Sequence, residues 1–334
     1  MVYQPWTIDQ LTNMQSFIAL SAAFENQFKK RHFPAAPSNL YDASQYILEI
    51  GGKRVRPVAV LMGNELFSEI EPDAFQVANA IELFHNFSLI HDDIMDKAPL
   101  RRGLPTVHVN FGESTALLAG DVMLVAAYEY LNKIKTNHLH RIISLFNKTA
   151  KEVCEGQQLD MDFEKRDGVT MDEYVNMITL KTSVLLATSL QMGAVLGGAG
   201  LGNQQHLYEF GKNLGIAFQV QDDYLDCFGD PGKFGKQPGG DIRSNKKTFL
   251  MIHTMNVATA DQKAALQKLL SVDSPDKIDR VLQLFRDCKA DVWAESLKEK
   301  YFEVAMKHLE DIAVLESRKN ELTTLARYLL QRDS

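Results

Sequence analysis

The chain has 334 residues, 45% hydrophobic and 24% charged, with a formal net charge of −7. That balance belongs to a folded, soluble protein and excludes disordered and fibrous classes. The acidic excess also argues against nucleic acid as a partner, because binding a phosphate backbone calls for a basic face.

The first segment, "MVYQPWTIDQLTNMQSFIAL", lacks a basic start and carries Asp9 ahead of its apolar run, so it does not read as a secretory signal. Three widely spaced cysteines, Cys154, Cys227 and Cys288, are too few for a disulfide framework or a four-cysteine zinc site and suit a reducing compartment. The cytoplasm is the expected location. Leu11, Met14, Phe17, Ile18 and Phe24 recur at helical spacings until "FPAAPSN" at 33–39 interrupts them. At 51–57, "GGKRVRP" brings Lys53, Arg54 and Arg56 to a glycine-preceded turn where backbone N–H groups and cations could meet an anion. An exposed helix start would look the same. After "EPD" at 71–73, a helix carries "ELFHNFSLIHDDIMD" to residue 96, and Arg101 and Arg102 follow closely.

Residues 182–205 are free of charge and long enough to cross a bilayer, but Ser183, Ser189, Gln191 and five glycines make them a buried core helix ending in a glycine-rich turn. No transmembrane segment is expected. The longest non-helical stretch, "FGDPGKFGKQPGGD" at 228–241, holds Lys233 and Lys236 and reads as a functional loop. Val281, Leu282, Leu284 and Phe285 then resume the helical pattern. Alternating Val/Ile/Thr runs are scarce, and no break separates parts of different composition. The expected fold is therefore all-α: a single helical bundle domain spanning residues 1–334, with long helices around a central cavity.

One local echo stands out: "DDIMD" at 92–96 returns as "DDYLD" at 222–226. On a helix, Asp92 and Asp96 share a face one turn apart, with Asp93 roughly 100° aside. Asp222, Asp226 and Asp223 repeat the arrangement. Carboxylates so crowded repel one another, and a cation resolves the repulsion. Magnesium prefers hard oxygen ligands and takes one or two carboxylates with waters and substrate phosphates, so two such faces could hold several ions and a diphosphate. A single motif of this length fits a solvated acidic face better than a metal site; two copies inside apolar helices favour metal. Arg101 and Arg102 add guanidinium forks suited to phosphate. His85 lies two turns before Asp92, and Gln219 one turn before Asp222. These two, with Lys181 and Thr182, place polar groups at the edges of apolar helices. Alone, each reads as a satisfied core residue or a side chain reaching solvent.

In order along nearly the whole chain, "GGKRVRP", "ELFHNFSLIHDDIMD", "LRRG", "GQQLDM", "LKTS", "FQVQDDYLD", "GKQPGGDI" and "NKKT" resemble the trans-isoprenyl diphosphate synthases, or polyprenyl synthetases. The resemblance implies a homodimer that ionises an allylic diphosphate (dimethylallyl, geranyl or farnesyl). The double bond of isopentenyl diphosphate attacks the carbocation, and loss of a proton gives a trans product five carbons longer. It implies three Mg2+ ions per site, two held by Asp92 and Asp96 and a third by Asp222, with Asp93, Asp223 and Asp226 acting through water or behind the ligands. By the same resemblance Arg101, Lys181 and Lys236 grip the allylic diphosphate, with Lys246 as a helper. Lys53, Arg56, His85 and Arg102 hold isopentenyl diphosphate. Thr182 and Gln219 present oxygens to the carbocation. No side chain is an obvious base, and the departing diphosphate is the expected proton acceptor.

Product length in this family depends on the residues before the first motif. Here the fifth before Asp92 is Phe87, which favours short products, while the fourth is the small Ser88, and Phe84 lies a turn deeper beside Phe87. The motif also lacks the two-residue insertion of bacterial farnesyl synthases. These features favour C20 geranylgeranyl diphosphate over C15 farnesyl diphosphate. Three rival readings are a longer-chain synthase, a class I terpene cyclase and a non-catalytic partner subunit. A cyclase has no need of "GGKRVRP", and partner subunits tend to lose the aspartates or cations that are all present here.

Overall fold

The computed structural model describes residues 14–135, 137–166, 168–229, 239–272 and 274–330. Its helices are α1 (Phe17–Phe28), α2 (Ser38–Glu49), α3 (Val55–Glu65), α4 (Pro72–Met95), α5 (Val107–Phe111), α6 (Glu113–Leu131), α7 (Leu139–Glu164) and α8 (Met171–Ile178). After a π-helical turn at Thr179–Ser183 come α9 (Val184–Leu196), α10 (Leu201–Phe228), α11 (Gly240–Arg243), α12 (Phe249–Val257), α13 (Ala260–Ser271), α14 (Lys277–Asp287), α15 (Ala290–Glu310) and α16 (Glu316–Leu330). The two short strands, β1 (Leu100–Arg101) and β2 (Leu104–Pro105), pair antiparallel, with Leu100 opposite Pro105. The fold class is all-α.

Contacts divide the chain into two compact units. Unit one comprises the described residues of Met1–Lys148, Thr188–Tyr208 and Ile312–Glu321; unit two comprises those of Thr149–Ala187, Glu209–Asp311 and Leu322–Ser334.

In unit one, α1 begins where the Ser16 hydroxyl accepts from the Ala19 N–H and buries Leu20, Phe24 and Phe28, a stripe at spacings of four. Helix α4 starts with Pro72, whose missing N–H costs nothing in a first turn, and Asp73 favours that positive end. It packs most extensively against α6, burying Val77, Ile81, Phe84 and Ile90. Burying one such side chain contributes about 1.5–3 kcal/mol. Lys97 stops α4 in the left-handed region, and the Lys97 and Ala98 N–H groups close onto Ile94 O and Asp93 O.

Unit two has its own core, in which Phe163, Tyr174, Ile178, Val220, Phe249, Leu250, Val281 and Phe285 pack together. Helix α8 begins with a reciprocal capping box, Thr170 accepting from the Glu173 N–H while Glu173 accepts from the Thr170 N–H. The helical run Met171–Leu196, whose residues belong to unit two as far as Ala187 and to unit one from Thr188, is long and apolar enough to cross a membrane, and 78% of its most apolar stretch is buried. It ends as the sequence suggests, in a glycine turn at Gly198 with φ of 77°.

Candidate active site

The first aspartate motif occupies the last turn of α4. Asp92 and Asp96 stand one turn apart, with the Asp96 N–H donating to Asp92 O at 2.9 Å. Asp93 turns inward and is 2% exposed. It accepts from Arg101 Nε at 2.8 Å and Nη2 at 2.7 Å, a two-pronged pair. The same guanidinium lies 3.8 Å from Asp92.

Between the strands, Arg102 and Gly103 have φ of 52° and 79°, the signature of a two-residue type I′ turn. This turn sends the two adjacent arginines in different directions. Arg101 goes to α4, whereas the Arg102 guanidinium lies against Gly52, where a Cβ would stand 2.9 Å from Nη1. There it meets the cationic turn. Arg56 Nη1 donates to His85 Nε2 at 3.3 Å, and Arg56 Nε is buried with no hydrogen-bond partner among the described residues. Burial, then the charges of Arg56 and Arg102, hold His85 well below the ordinary histidine range. A neutral His85 accepts from Arg56 and keeps its other nitrogen as a donor. An orphaned guanidinium donor beside a second arginine and the exposed Lys53 is chemistry for an anion.

Arg54, which the sequence places with Lys53 and Arg56 at that anion, points the other way. It is 7% exposed, bonds Glu25 at 2.6 Å and Glu82 at 2.5 Å, donates to Leu48 O at 3.1 Å, and covers the Phe28 ring. Asn86 Nδ2 donates to the same Glu82 oxygen at 3.0 Å. Glu82 is buried, and a buried carboxylate without a cation would be far too costly, which is why Arg54 faces inward.

Below the motif, Phe87 and Phe84 are buried with ring centroids 5.5 Å apart, and Phe84 meets Phe146 at 5.3 Å. His91 stacks edge-on against Phe87 at 4.7 Å. Ser88 folds its hydroxyl back onto His85 O at 2.8 Å and adds no bulk.

In unit two, the second motif lies in the last turns of α10. Asp222 is exposed. Asp223 is 4% exposed and accepts from Tyr174 Oη at 2.8 Å and Gln219 Nε2 at 2.9 Å. Burial, with Asp241 nearby, pushes its carboxyl up to about 8. Asp226 accepts from the Asp241 N–H at 3.0 Å and so orders the start of α11. Thr182 Oγ1 donates to Gln219 Oε1 at 3.4 Å, Lys181 Nζ pairs with Asp160 at 2.6 Å, and Lys246 Nζ lies 3.8 Å from Asp241. These groups line one cavity of about 200 Å³, together with Lys247 and Thr248. Lys236 lies outside the described residues. Asp160, Asp241, Lys247 and Tyr174 are among the cavity residues that sequence reasoning did not single out. The first three sit inside motifs already quoted, whereas Tyr174 carries no signal beyond a helical apolar position.

Lys181 and Thr182 stand on the π-helical turn. Gly156 of α7 packs directly on the backbone of that turn, where a Cβ would fall 2.7 Å from the Leu180 carbonyl carbon; Gly215 of α10 meets Ser183 Cα equally closely, at 2.8 Å. Such turns, one residue wider than an α-turn, recur at functional sites because they re-aim side chains. Gly156→Ala is therefore expected to displace the turn, destabilise the protein by about 1–3 kcal/mol and lower activity. Thermal unfolding compared with the parent checks this, and an unchanged midpoint would refute the close packing.

Among the described residues no three His, Cys, Asp or Glu side chains group closely enough to hold a metal unaided. The donors nevertheless fit magnesium, which takes only one or two carboxylates when phosphates and waters complete its shell. Both motifs also sit at the C-terminal ends of long helices, where the negative end of the helix dipole adds to the carboxylate charge.

An all-α fold with two helix-end carboxylate motifs, each beside its own cations, is the equipment of an enzyme that handles diphosphates through hard divalent metals. The chain matches polyprenyl synthetase over residues 37–288 and belongs to that family. It is 38% identical over 300 residues to a geranylgeranyl diphosphate synthase of Saccharolobus solfataricus, covering 88% of this chain and 90% of that one. A geranylfarnesyl diphosphate synthase of Natronomonas pharaonis is 36% identical over 295 residues, covering 82% and 85%. A crystal structure of a geranylgeranyl pyrophosphate synthase superposes with a TM-score of 0.90 at 40% identity, covering 96% of this chain and all of that one.

Proposed function

We infer that the protein is a trans-prenyltransferase that condenses isopentenyl diphosphate with an allylic diphosphate and releases C20 geranylgeranyl diphosphate. The observation that carries the reading is the segregation of cations. Arg101 is tied to the first aspartate motif through Asp93, whereas Arg102, Arg56 and His85 gather apart at the "GGKRVRP" turn. Two anionic substrates need two such sets. A cyclase, with one diphosphate to hold, needs one.

Asp92 and Asp96 would hold two magnesium ions and Asp222 a third, with Asp226 supporting through water. When bound, magnesium neutralises the charge that develops on the leaving diphosphate. Asp93 keeps Arg101 aimed at that diphosphate, and Lys181 and Lys246, by their places in the family motifs, add positive charge to the same group. Lys236 is assigned to the same group by its place in the family motif. Arg56, Arg102, Lys53 and neutral His85 hold isopentenyl diphosphate. Gln219 and Thr182 turn oxygens toward the carbocation, and the departing diphosphate takes the final proton. The buried Phe87 ring, with Ser88 leaving space beside it, stops the growing chain at twenty carbons; Phe84 backs it. Similarity to a C20 synthase supports the same length. We further propose that the whole chain works as one catalytic domain, as a cytoplasmic homodimer.

Purified protein incubated with Mg2+, isopentenyl diphosphate and each allylic primer in turn is expected to yield a C20 alcohol after dephosphorylation. No chain growth with any primer would refute the synthase reading. Products that stop at C15, or that run to C40 or beyond, would refute the role given to Phe87 and Ser88.

A further inference from the structure

The ionisation step asks Gln219 to present its oxygen, and not its NH2 group, to a developing positive charge. A glutamine amide has nearly the same shape either way round, so something must choose its orientation. The choice is visible in its neighbours. Asp223 Oδ1 accepts from Gln219 Nε2 at 2.9 Å, which leaves Oε1 directed at Thr182 Oγ1, 3.4 Å away. The Asp223 carboxyl can also rotate, protonated or not, and rotation would swing the amide with it. Its second oxygen is pinned by the Tyr174 hydroxyl at 2.8 Å.

Tyr174 is itself held on every side. It is 6% exposed, its ring stands edge-on to the fully buried Phe249 at 4.6 Å, and it sits near the start of α8, which the Thr170–Glu173 capping box secures. Tyr174, Asp223, Gln219 and Thr182 all line the same cavity. A core ring alone would be supplied as well by phenylalanine; the hydroxyl is used on Asp223.

We propose that Tyr174 is a positioning residue for catalysis: its hydroxyl locks Asp223, which in turn locks the Gln219 amide with Oε1 facing the reacting carbons. A reversed amide would set two partially positive N–H groups against the carbocation and raise the ionisation barrier without touching either diphosphate. The loss should therefore appear in the chemical step and not in substrate binding. This inference rests on the roles proposed for Gln219 and Thr182.

The test is Tyr174→Phe, measured by single-turnover condensation with the primer dissociation constant taken separately. The expected result is a rate about tenfold or more below the parent, smaller than the loss of a direct electrostatic contact because the effect is relayed, with primer affinity changed less than about threefold. In a Gln219→Ala background the same substitution should have no further effect, because the amide it orients is gone. If Tyr174→Phe folds poorly, 4-fluorophenylalanine at 174 fills the hydroxyl's space without donating and should show the same rate loss. A variant as fast as the parent, or a loss that persists undiminished in the Gln219→Ala background, would overturn the proposal. A parent chain that elongates no primer would overturn the synthase reading instead, so the two failures are distinguishable.

Discussion

Asp92→Ala is expected to lower turnover by about 10³-fold or more while leaving the protein folded. Three decades correspond to about 4 kcal/mol of barrier, the scale of a metal's help to a departing diphosphate. Stability should not fall in step. Asp92 shares its turn with Asp93 and Asp96 at the C-terminal end of α4, so removing one carboxylate relieves repulsion both among the aspartates and with the helix dipole. Arg101 keeps its two bonds to Asp93 in the variant, so its aim is preserved. Product formation and thermal unfolding measured side by side separate the two effects. Activity within tenfold of the parent would remove Asp92 from the metal-binding role.

Arg54→Ala is expected to have the opposite profile, destabilising the protein by about 3–5 kcal/mol before any effect on chemistry is seen. Arg54 is the sole cation bonded to the buried Glu82 among the described ion pairs, and it closes the network through Glu25, Leu48 O and the Phe28 ring. Truncating it leaves the Glu82 charge stranded, which costs more than the pair itself contributes. Adding Glu82→Gln should recover a substantial part of the loss, because the stranded charge is gone. Urea unfolding of the single and double variants checks both statements, and a loss below about 1 kcal/mol for Arg54→Ala would mean that Glu82 finds another partner or a proton.

Why could the sequence not separate Arg54 from its neighbours? In "GGKRVRP" all three cations look alike, and each could begin a helix or meet an anion. What separates them is the left-handed backbone at Arg54, φ 51°, and a glutamate 28 residues away that is buried with it. The same blindness applies to "LRRG". Adjacent arginines on an extended chain would point to opposite sides in any case, but the type I′ turn decides that one reaches Asp93 and the other Gly52.

Much of the rest was legible for a simple reason. Chemistry that holds two diphosphates through metal needs carboxylates at helical spacing and cations near them, and those demands are local. The residues 92–96 and 222–226 each state them within five positions, and the apolar spacing around them states the helix. Asp160 and Asp241 lay inside recognisable motifs, yet their places against Lys181 and Lys246 follow from packing and not from spacing. Tyr174 left no mark at all, since an aromatic on an apolar face of α8 has the same pattern whether or not its hydroxyl is used.

By itself, then, the sequence determined the helical class, the two carboxylate motifs and the roster of cations, because all of these follow from spacing along one helix or from composition. Only the tertiary structure decided which aspartate of each motif turns inward, which cation pairs with which carboxylate, and where Lys181 and Thr182 stand on their π-helical turn. Those outcomes are fixed by contacts over long sequence distances: a buried charge must find its counter-ion, and a glycine such as Gly156 must let one backbone lie directly on another. Spacing within a segment carries no information about either.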